Sequence, residues 1–257
     1  MQREDGAVWI TWYNLPEEGR DPYFEWLHGS YIPRLLERSG YLWAAHYGSL
    51  PSAGNTPRRH GRKFTTDDPS VPSGDRFILI FGGRDAAVFG DPMPSVLHRE
   101  LPEADRRMLA LRVGERVNVM VDAARVQGPA GATYSGGMNP PPCIQLGTFN
   151  CALADEEDVL AWYSQWRLPA MAKLEGCVRA RLLASVYGWA KHSVFYEFVS
   201  LEARNHFLRS HEDGDANREW TDKVIASLTH APGSANIALR LWPPAASTQG
   251  AASVSPA

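Results

Sequence analysis

The sequence predicts an α+β fold built from two related halves. Two observations predict it: the segment 8–48 recurs without a gap as 144–184, and each half follows the order strand, helix, strand, strand, helix, strand. The recurrence, with an offset of 136 residues, is anchored by four identities: Asn14 with Asn150, Trp26 with Trp162, Pro33 with Pro169 and Gly40 with Gly176. The chain is therefore expected to be a tandem duplication.

The first half is expected to cover residues 1–126. Its aromatic and β-branched run 8–14 predicts a strand. Asp21 and Pro22 then supply an N-cap and a first-turn proline for a helix that ends near Gly40. Further strands are expected at 41–48, 76–81 and 116–121, with a helical region, broken at Pro102, between the last two.

The second half, residues 143–244, is expected to repeat this order. A linker rich in Gly and Pro, 127–142, joins the halves, and the Ala-, Ser- and Pro-rich tail 245–257 is expected to be disordered. The first half also carries an insert, 51–74, where the second has a hairpin turn at Tyr187-Gly188-Trp189. Such an insert is either a solvated loop, or a lid or subunit contact.

Composition excludes several classes of function. The net charge of −3, from 26 Lys and Arg against 29 Asp and Glu, provides no basic surface for nucleic acid or an anionic membrane. The sequence has no dinucleotide-binding glycine motif, phosphate-binding loop or serine-hydrolase motif. The amino terminus has no signal peptide or membrane span, and three cysteines without zinc-ligand spacing indicate reduced thiols, no metal site and a cytoplasmic protein.

A tryptophan followed seven residues later by proline, as in Trp26 with Pro33 and Trp162 with Pro169, lies on the first predicted helix of each half. This pattern, with a strand before it and a glycine and a strand after it, resembles the dimeric α+β barrel superfamily, including its EthD-like and antibiotic-biosynthesis-monooxygenase-like domains. The resemblance implies two ferredoxin-like halves whose antiparallel sheets pack into one α+β barrel. The fold hosts isomerases, cyclases, oxygenases and haem enzymes, so it does not determine the activity.

The resemblance also implies a ligand pocket between sheet and helices in the first half. Strand alternation predicts that Trp12, Asn14 and His46 point into it, with His28 and Tyr31 descending from the helix. His46, His28 and Tyr31 are the predicted catalytic residues, because an imidazole transfers protons near neutral pH and a phenol donates to a developing oxyanion. Trp12 and Trp26 are predicted to stack on a flat substrate, with Asn14 as a hydrogen-bonding partner.

The second half is chemically simpler at the equivalent places. Leu182 replaces His46 and Ser164 replaces His28, which leaves Asn150 as the shared polar residue. Arg167, in place of Tyr31, either pairs locally or binds an anionic substrate group. Structural interpretations stand beside these: a core His46, a solvent-facing His28, asparagines that close strand ends, and Trp26 and Trp162 as core residues.

The leading functional hypothesis is an enzyme without a cofactor that acts by acid/base catalysis on a small hydrophobic metabolite, aromatic or carbonyl-containing, as an isomerase, cyclase or lyase. A haem enzyme of the chlorite-dismutase-like kind is the first alternative, with His192, His206 and His211 available as ligands. A non-catalytic, EthD-like small-molecule-binding protein is the second. Either a monomer or a homodimer is compatible with the expected barrel.

Overall fold

The computed structural model describes residues 5–51, 64–132, 134, 140–212 and 217–244, with the backbone alone over 207–212. The predicted tail 245–257 lies outside the described residues, as do residues 52–63 of the insert and 135–139 of the linker. In the described part of the chain, no helix is long and apolar enough to cross a membrane.

Eight of the strands form a closed antiparallel barrel, which confirms the prediction of an α+β barrel. The strands of the described chain are β1 (Ala7–Asn14), β2 (Tyr41–Ser49), β3 (Phe64–Thr65), β4 (Phe77–Gly83), β5 (Val113–Gln127), β6 (Cys143–Asn150), β7 (Cys177–Tyr187), β8 (His192–Phe198), β9 (Thr229–His230) and β10 (Asn236–Trp242). The barrel order is β10-β2-β4-β1-β5-β7-β8-β6, and β6 pairs with β10 to close it. The short strands β3 and β9 pair with each other outside this ring.

Helices cover the outside of each half. They are α1 (Arg20–Trp26), α2 (Ile32–Leu36), α3 (Pro94–Glu100), α4 (Glu103–Leu109), α5 (Glu156–Trp162), α6 (Leu168–Met171), α7 (Leu201–Glu212) and α8 (Arg218–Ser227). A π-helical turn, Leu27–Tyr31, joins α1 to α2, and a second, Tyr163–Arg167, joins α5 to α6. The N-cap of α1 is Gly19, at φ 81°, and not Asp21 as predicted. Asp21 lies in the first turn, where its carboxylate interacts favourably with the helix dipole.

Three apolar clusters hold the molecule together: one inside the barrel and one between sheet and helices in each half. The barrel cluster contains Val8, Ile10 and Trp12, whereas Trp9 and Tyr13 face the helices. The prediction that the face of Trp12 lies beneath the helices is therefore wrong. Both faces of β1 are apolar, so alternation separates two sets of side chains but does not indicate which set the helices cover.

The two halves meet at the strand pairs β5–β7 and β2–β10. At the first of these seams, the buried carboxylate of Asp5 lies 2.8 Å from the Arg181 guanidinium and 3.1 Å from that of Arg125. Arg179 pairs with Glu197 through two hydrogen bonds. Arg181 pairs with Asp5 and Asp122 instead.

Candidate active site

A chain of three hydrogen-bonded side chains lies between the sheet and the helices of the first half. The Nε2 atom of His28 is 2.9 Å from Nδ1 of His46, and Nε2 of His46 is 2.8 Å from the hydroxyl of Tyr13. The structure thus brings together His28 and His46, as predicted. We call these three residues the histidine relay.

Local structure explains how the relay forms. His28 lies in the π-helical turn, His46 on β2 and Tyr13 on β1, so three separate elements converge. A π-helical turn inserts one extra residue into a helix and changes the direction of the side chains within it. The rings of Phe24 and Phe77 pack against His46 at centroid distances of 5.3 and 5.8 Å.

Burial determines the charge state of the relay. Loss of solvation lowers the pKa of His28 to about 4 and that of His46 well below its usual value, and the nearby His28 and Arg112 lower the latter further. Burial also holds the pKa of Tyr13 well above its usual value. At neutral pH all three side chains are therefore uncharged. Each imidazole then has one nitrogen that donates and one that accepts a hydrogen bond.

The relay continues inward to a buried cation. The rings of Tyr13 and Tyr23 pack at a centroid distance of 5.8 Å, and the Nε atom of Arg112 donates to the Tyr23 hydroxyl at 2.7 Å. The Arg112 guanidinium lies 4.7 Å from the centre of the Tyr13 ring and forms an ion pair with Glu115 at 2.6 Å. This cation–carboxylate pair anchors the inner end of the relay.

Tyr31 does not join the relay. It is fully buried, and its hydroxyl lies 2.7 Å from Nε2 of His98 on α3. Burial raises its pKa far above the usual range and lowers the pKa of His98 to about 4. The prediction that Tyr31 acts beside His46 is therefore not supported by the geometry, because its hydroxyl is engaged by a different histidine.

Trp12 also lies away from the relay. Its fully buried ring is inside the barrel, and the Arg116 guanidinium lies 4.7 Å above it. Arg116 donates to the carbonyl oxygens of Pro72 and Pro232 and so covers this end of the barrel. The expected stacking of a ligand on Trp12 at the histidine site is therefore excluded by the direction of its strand face.

Asn14 and Asn150 have matching roles at strand ends. The Oδ1 atom of Asn14 accepts from the backbone N–H groups of Asp75 and Arg76. The side chain of Asn150 accepts from the N–H of Lys191 and donates to the carbonyl of Trp189. Asn14 fixes the segment that leads into β4 and Asn150 the segment that leads into β8, which agrees with the structural interpretation of these residues.

The two tryptophans of the internal repeat link helices to one another. Trp26 donates to Asp105 of α4 at 2.7 Å, and Trp162 donates to Thr221 of α8 at 3.1 Å. Arg167 packs between the rings of Trp162 and Tyr196 and donates to the Tyr196 hydroxyl at 3.1 Å. Trp26, Trp162 and Arg167 therefore lie within the helix layer of their halves, where neighbouring side chains engage them.

Sequence reasoning missed Tyr13, Tyr23 and Arg112 as parts of the polar chain. Strand alternation could have indicated Tyr13, because it lies next to Trp12 in the sequence and therefore on the opposite face of β1. Arg112 has none, because it follows a helix in an irregular segment. A separate open cleft of about 590 Å³, lined by residues such as Arg38, Tyr41 and Arg84, contains no member of the relay.

The comparisons with known proteins give the fold. No family model matches the chain, and no curated protein matches it. A candidate monooxygenase from Fusobacterium nucleatum has a similar structure, with a TM-score of 0.57, 9% identity and coverage of 94% of each chain. An anthrone oxidase-like protein gives a TM-score of 0.57, 11% identity and the same coverage.

A candidate chlorite dismutase is a third structural neighbour, with a TM-score of 0.51, 11% identity and coverage of 92% of this chain and 94% of that one. Chlorite dismutases bind haem. This neighbour overturns the prediction that the chain works without a cofactor, because the same barrel is used by haem enzymes.

The described residues of the second half do not fit a haem. Phe149, Trp162, Tyr196 and Phe198, all buried, fill the layer between its sheet and helices, where a flat macrocycle needs an open slot. Of the candidate ligands, His192 stacks on Phe149 and His206 is exposed on α7. The side chain of His211 lies outside the described residues.

Proposed function

We propose that this protein is an enzyme that transfers protons on a small hydrophobic metabolite, aromatic or carbonyl-containing, at the outer end of the histidine relay. The observation that carries the proposal is the unbroken chain from His28 through His46 to Tyr13. Buried neutral imidazoles in a hydrogen-bonded row are uncommon in a core, and perturbed histidines of this kind are typical of functional sites. The fold shared with a candidate monooxygenase and an anthrone oxidase-like protein supports a small-molecule enzyme.

In this proposal His28 is the residue that meets the substrate. Its side chain is half-buried, its Nε2 is engaged by His46, and Nδ1 is left for a ligand. The rings of Phe24 and Trp242 lie 5.7 and 6.2 Å from the imidazole, so a flat apolar molecule finds aromatic contacts there. When Nδ1 takes a proton from carbon next to a carbonyl group, the substrate becomes an enolate and His28 becomes an imidazolium, whose charge is shared with His46 through the hydrogen bond between Nε2 and Nδ1.

The relay has two neutral arrangements. In one, His28 donates to His46 and His46 donates to Tyr13; in the other, both bonds run in the opposite direction. The first presents an accepting Nδ1 at His28 and the second presents a donating N–H. Starting from the first arrangement, Nδ1 of His28 removes a proton from one substrate atom, and the resulting N–H returns it at another atom, which regenerates the neutral relay and is the chemistry of an isomerase.

The test begins with native mass spectrometry of the purified chain, to identify any small molecule that remains bound. Turnover of that molecule and of a panel of phenolic and enolisable ketones is then measured for wild type, His28→Gln and the exposed control His206→Gln. We expect His28→Gln to lower kcat/KM by about 10²- to 10⁴-fold, the usual contribution of general acid–base catalysis. Wild-type turnover by His28→Gln would overturn the proposal.

We also propose that the two halves are tandem copies of one ferredoxin-like unit. Their structures support this: β1 and β6, α1 and α5, and the two π-helical turns each begin and end 136 residues apart, as in 7–14 with 143–150 and 27–31 with 163–167. The polar relay of one copy and the apolar counterpart of the other then represent divergence after duplication.

A further inference from the structure

Three side chains with metal-binding atoms converge at one end of the second half. Cys151 follows β6, Glu156 is the first residue of α5, and His192 is the first residue of β8. The Sγ of Cys151, a carboxylate oxygen of Glu156 and an imidazole nitrogen of His192 all lie within 4.8 Å of one another. All three residues are half-buried. We call them the thiol cluster.

The donor atoms of the thiol cluster are not satisfied by one another. The Nε2 atom of His192 is buried and has no hydrogen-bond partner among the described residues. It lies 3.9 Å from Oε1 of Glu156, which is too long for a hydrogen bond. The Cys151 thiol is free. An imidazole nitrogen without a partner, beside a carboxylate and a thiol, is a set of donor atoms that can bind a metal ion.

The surroundings of the cluster already attract a cation. The ammonium of Lys191 forms an ion pair with Oε1 of Glu156. The His192 ring stacks on Phe149 at a centroid distance of 5.8 Å, which fixes the direction of its nitrogen. Because the Lys191 side chain is exposed, its ammonium is free to return to solvent if a divalent ion takes its place beside Glu156.

The first half lacks this chemistry at the matching positions. The residues 136 places earlier than Cys151 and Glu156 are Leu15 and Arg20, and Phe77 begins β4 as His192 begins β8. The Arg20 guanidinium lies over the Phe77 ring at 5.8 Å. An apolar and cationic set therefore satisfies the fold at this place, so the thiol, carboxylate and imidazole of the second half are not structural requirements.

We propose that Cys151, Glu156 and His192 bind a zinc ion, with a water molecule as the fourth ligand. Thiolate and imidazole select Zn²⁺ over Mg²⁺ and Ca²⁺, which prefer oxygen donors. Zinc bonds of about 2.0–2.3 Å place tetrahedral donors about 3.3–3.8 Å apart, so the side chains need to move by roughly 1 Å. Three protein ligands with one open position are the arrangement of catalytic zinc sites.

The experiment measures binding of zinc alone to the full chain by competition with a chromophoric chelator. Wild type is expected to bind one Zn²⁺ per chain. Cys151→Ser and His192→Phe are each expected to weaken binding by on the order of 100-fold or more, because each removes one of three ligands. Glu157→Gln, which changes the adjacent acidic residue outside the cluster, is the matched control and is expected to bind as wild type does.

Cobalt provides a second readout that needs no variant to fold. The Co²⁺-loaded wild-type protein is expected to show a thiolate-to-cobalt charge-transfer band in the near ultraviolet, and this band is expected to disappear in Cys151→Ser. Circular dichroism of each variant checks that the barrel remains folded. Absence of zinc binding by wild type, absence of the near-ultraviolet band, or undiminished binding by Cys151→Ser would each overturn the proposal.

Discussion

At the scale of single residues, buried neutral histidines couple stability to pH. His98 illustrates this, because burial and then the nearby Arg112 lower its pKa from 6.5 to about 4. The unfolded chain therefore takes up a proton near pH 6.5, whereas the folded chain takes it up only near pH 4. Above pH 6.5 His98 is neutral in both states, so it causes no loss of stability. As the pH falls from 6.5 to 4, the unfolded chain binds the proton first and the folded state loses stability.

We expect the free energy of unfolding to decrease between pH 6.5 and 4, and the decrease to be shallower in His98→Gln. The glutamine keeps a polar partner for Tyr31 and removes one titrating group. Urea unfolding at pH 7, 6 and 5 measures the slope, which reports the protons taken up on unfolding. Equal slopes for the variant and wild type would show that His98 does not contribute.

The pKa of His28 predicts the pH dependence of turnover. His28 must be neutral to accept a proton, so activity is expected to be constant from pH 8 to about 6 and to fall as pH drops toward about 4. Turnover is measured at each pH with circular dichroism as a check that the chain is folded. A limb near pH 6.5 in the folded protein would mean that the proton acceptor is not buried His28.

Tyr13 and Tyr31 form a matched pair for testing the inner end of the relay. Both are fully buried, and both hydroxyls contact a histidine nitrogen. Tyr13→Phe and Tyr31→Phe are each expected to cost about 1–3 kcal/mol of stability, because each leaves a buried nitrogen without its partner. Chemical denaturation measures this loss, and only Tyr13→Phe is expected to lower turnover. Equal turnover in the two variants would show that Tyr13 does not contribute to proton transfer through the relay.

At the scale of secondary-structure elements, the seam between β5 and β7 depends on Asp5. Burial on its own raises the pKa of this carboxyl, but the guanidiniums of Arg181, Arg179 and Arg125 together hold it below its usual value. The indole of Trp43 also donates to it at 3.1 Å. Asp5 is 2% exposed, so its charge is stabilised by these partners rather than by water.

Asp5→Asn is expected to destabilise the protein by up to about 3–5 kcal/mol, since the buried guanidiniums of Arg179 and Arg181 then keep only Glu197 and Asp122 as charged partners. Asp85→Asn is the control, because the exposed pair of Asp85 with Arg84 is expected to contribute little to stability. Urea denaturation compares the two variants, because urea is uncharged and, unlike guanidinium chloride, does not screen ion pairs. A loss as small as that of the control would show that Asp5 is not essential to the seam.

At the scale of the whole molecule, the two halves share one barrel interior. Trp12 and Trp43 from the first half and Phe195 from the second lie in the same cluster, and β10 pairs with both β2 and β6. Neither half can bury its inner sheet face alone, because that face packs on the other half. Unfolding of the intact chain is therefore expected to be one cooperative transition.

Separate expression of residues 1–126 and 143–244 tests this cooperativity. Each fragment is expected to self-associate or remain unfolded, and mixing them is expected to restore a 1:1 complex with native circular dichroism. Size-exclusion chromatography and denaturant unfolding measure the outcome. Two fragments that fold independently as stable monomers would contradict the shared interior.

Much of the fold could be predicted because local patterns determine it. The strand 8–14, the helix after Asp21 and the matching strand 144–150 all lie within a residue or two of the observed elements. The π-helical turns could not be predicted, because they arise where the helix adjusts its side chains to the sheet beneath it. The sequence predicts two of the three relay residues, His28 and His46. It places Trp12 beneath the helices, whereas the structure places Tyr13 there.

The sequence by itself determined the α+β class, and it predicts two related halves with polar chemistry concentrated in the first. Composition, periodicity and the 136-residue repeat carry that information along the chain. Only the tertiary structure decided which face of β1 meets the helices, that Tyr31 pairs with His98, and that Cys151 meets His192 across 41 positions of sequence. The physical reason is that both faces of β1 are largely apolar, so local sequence does not encode which face the helices cover, and the other two contacts join segments that are far apart in the sequence.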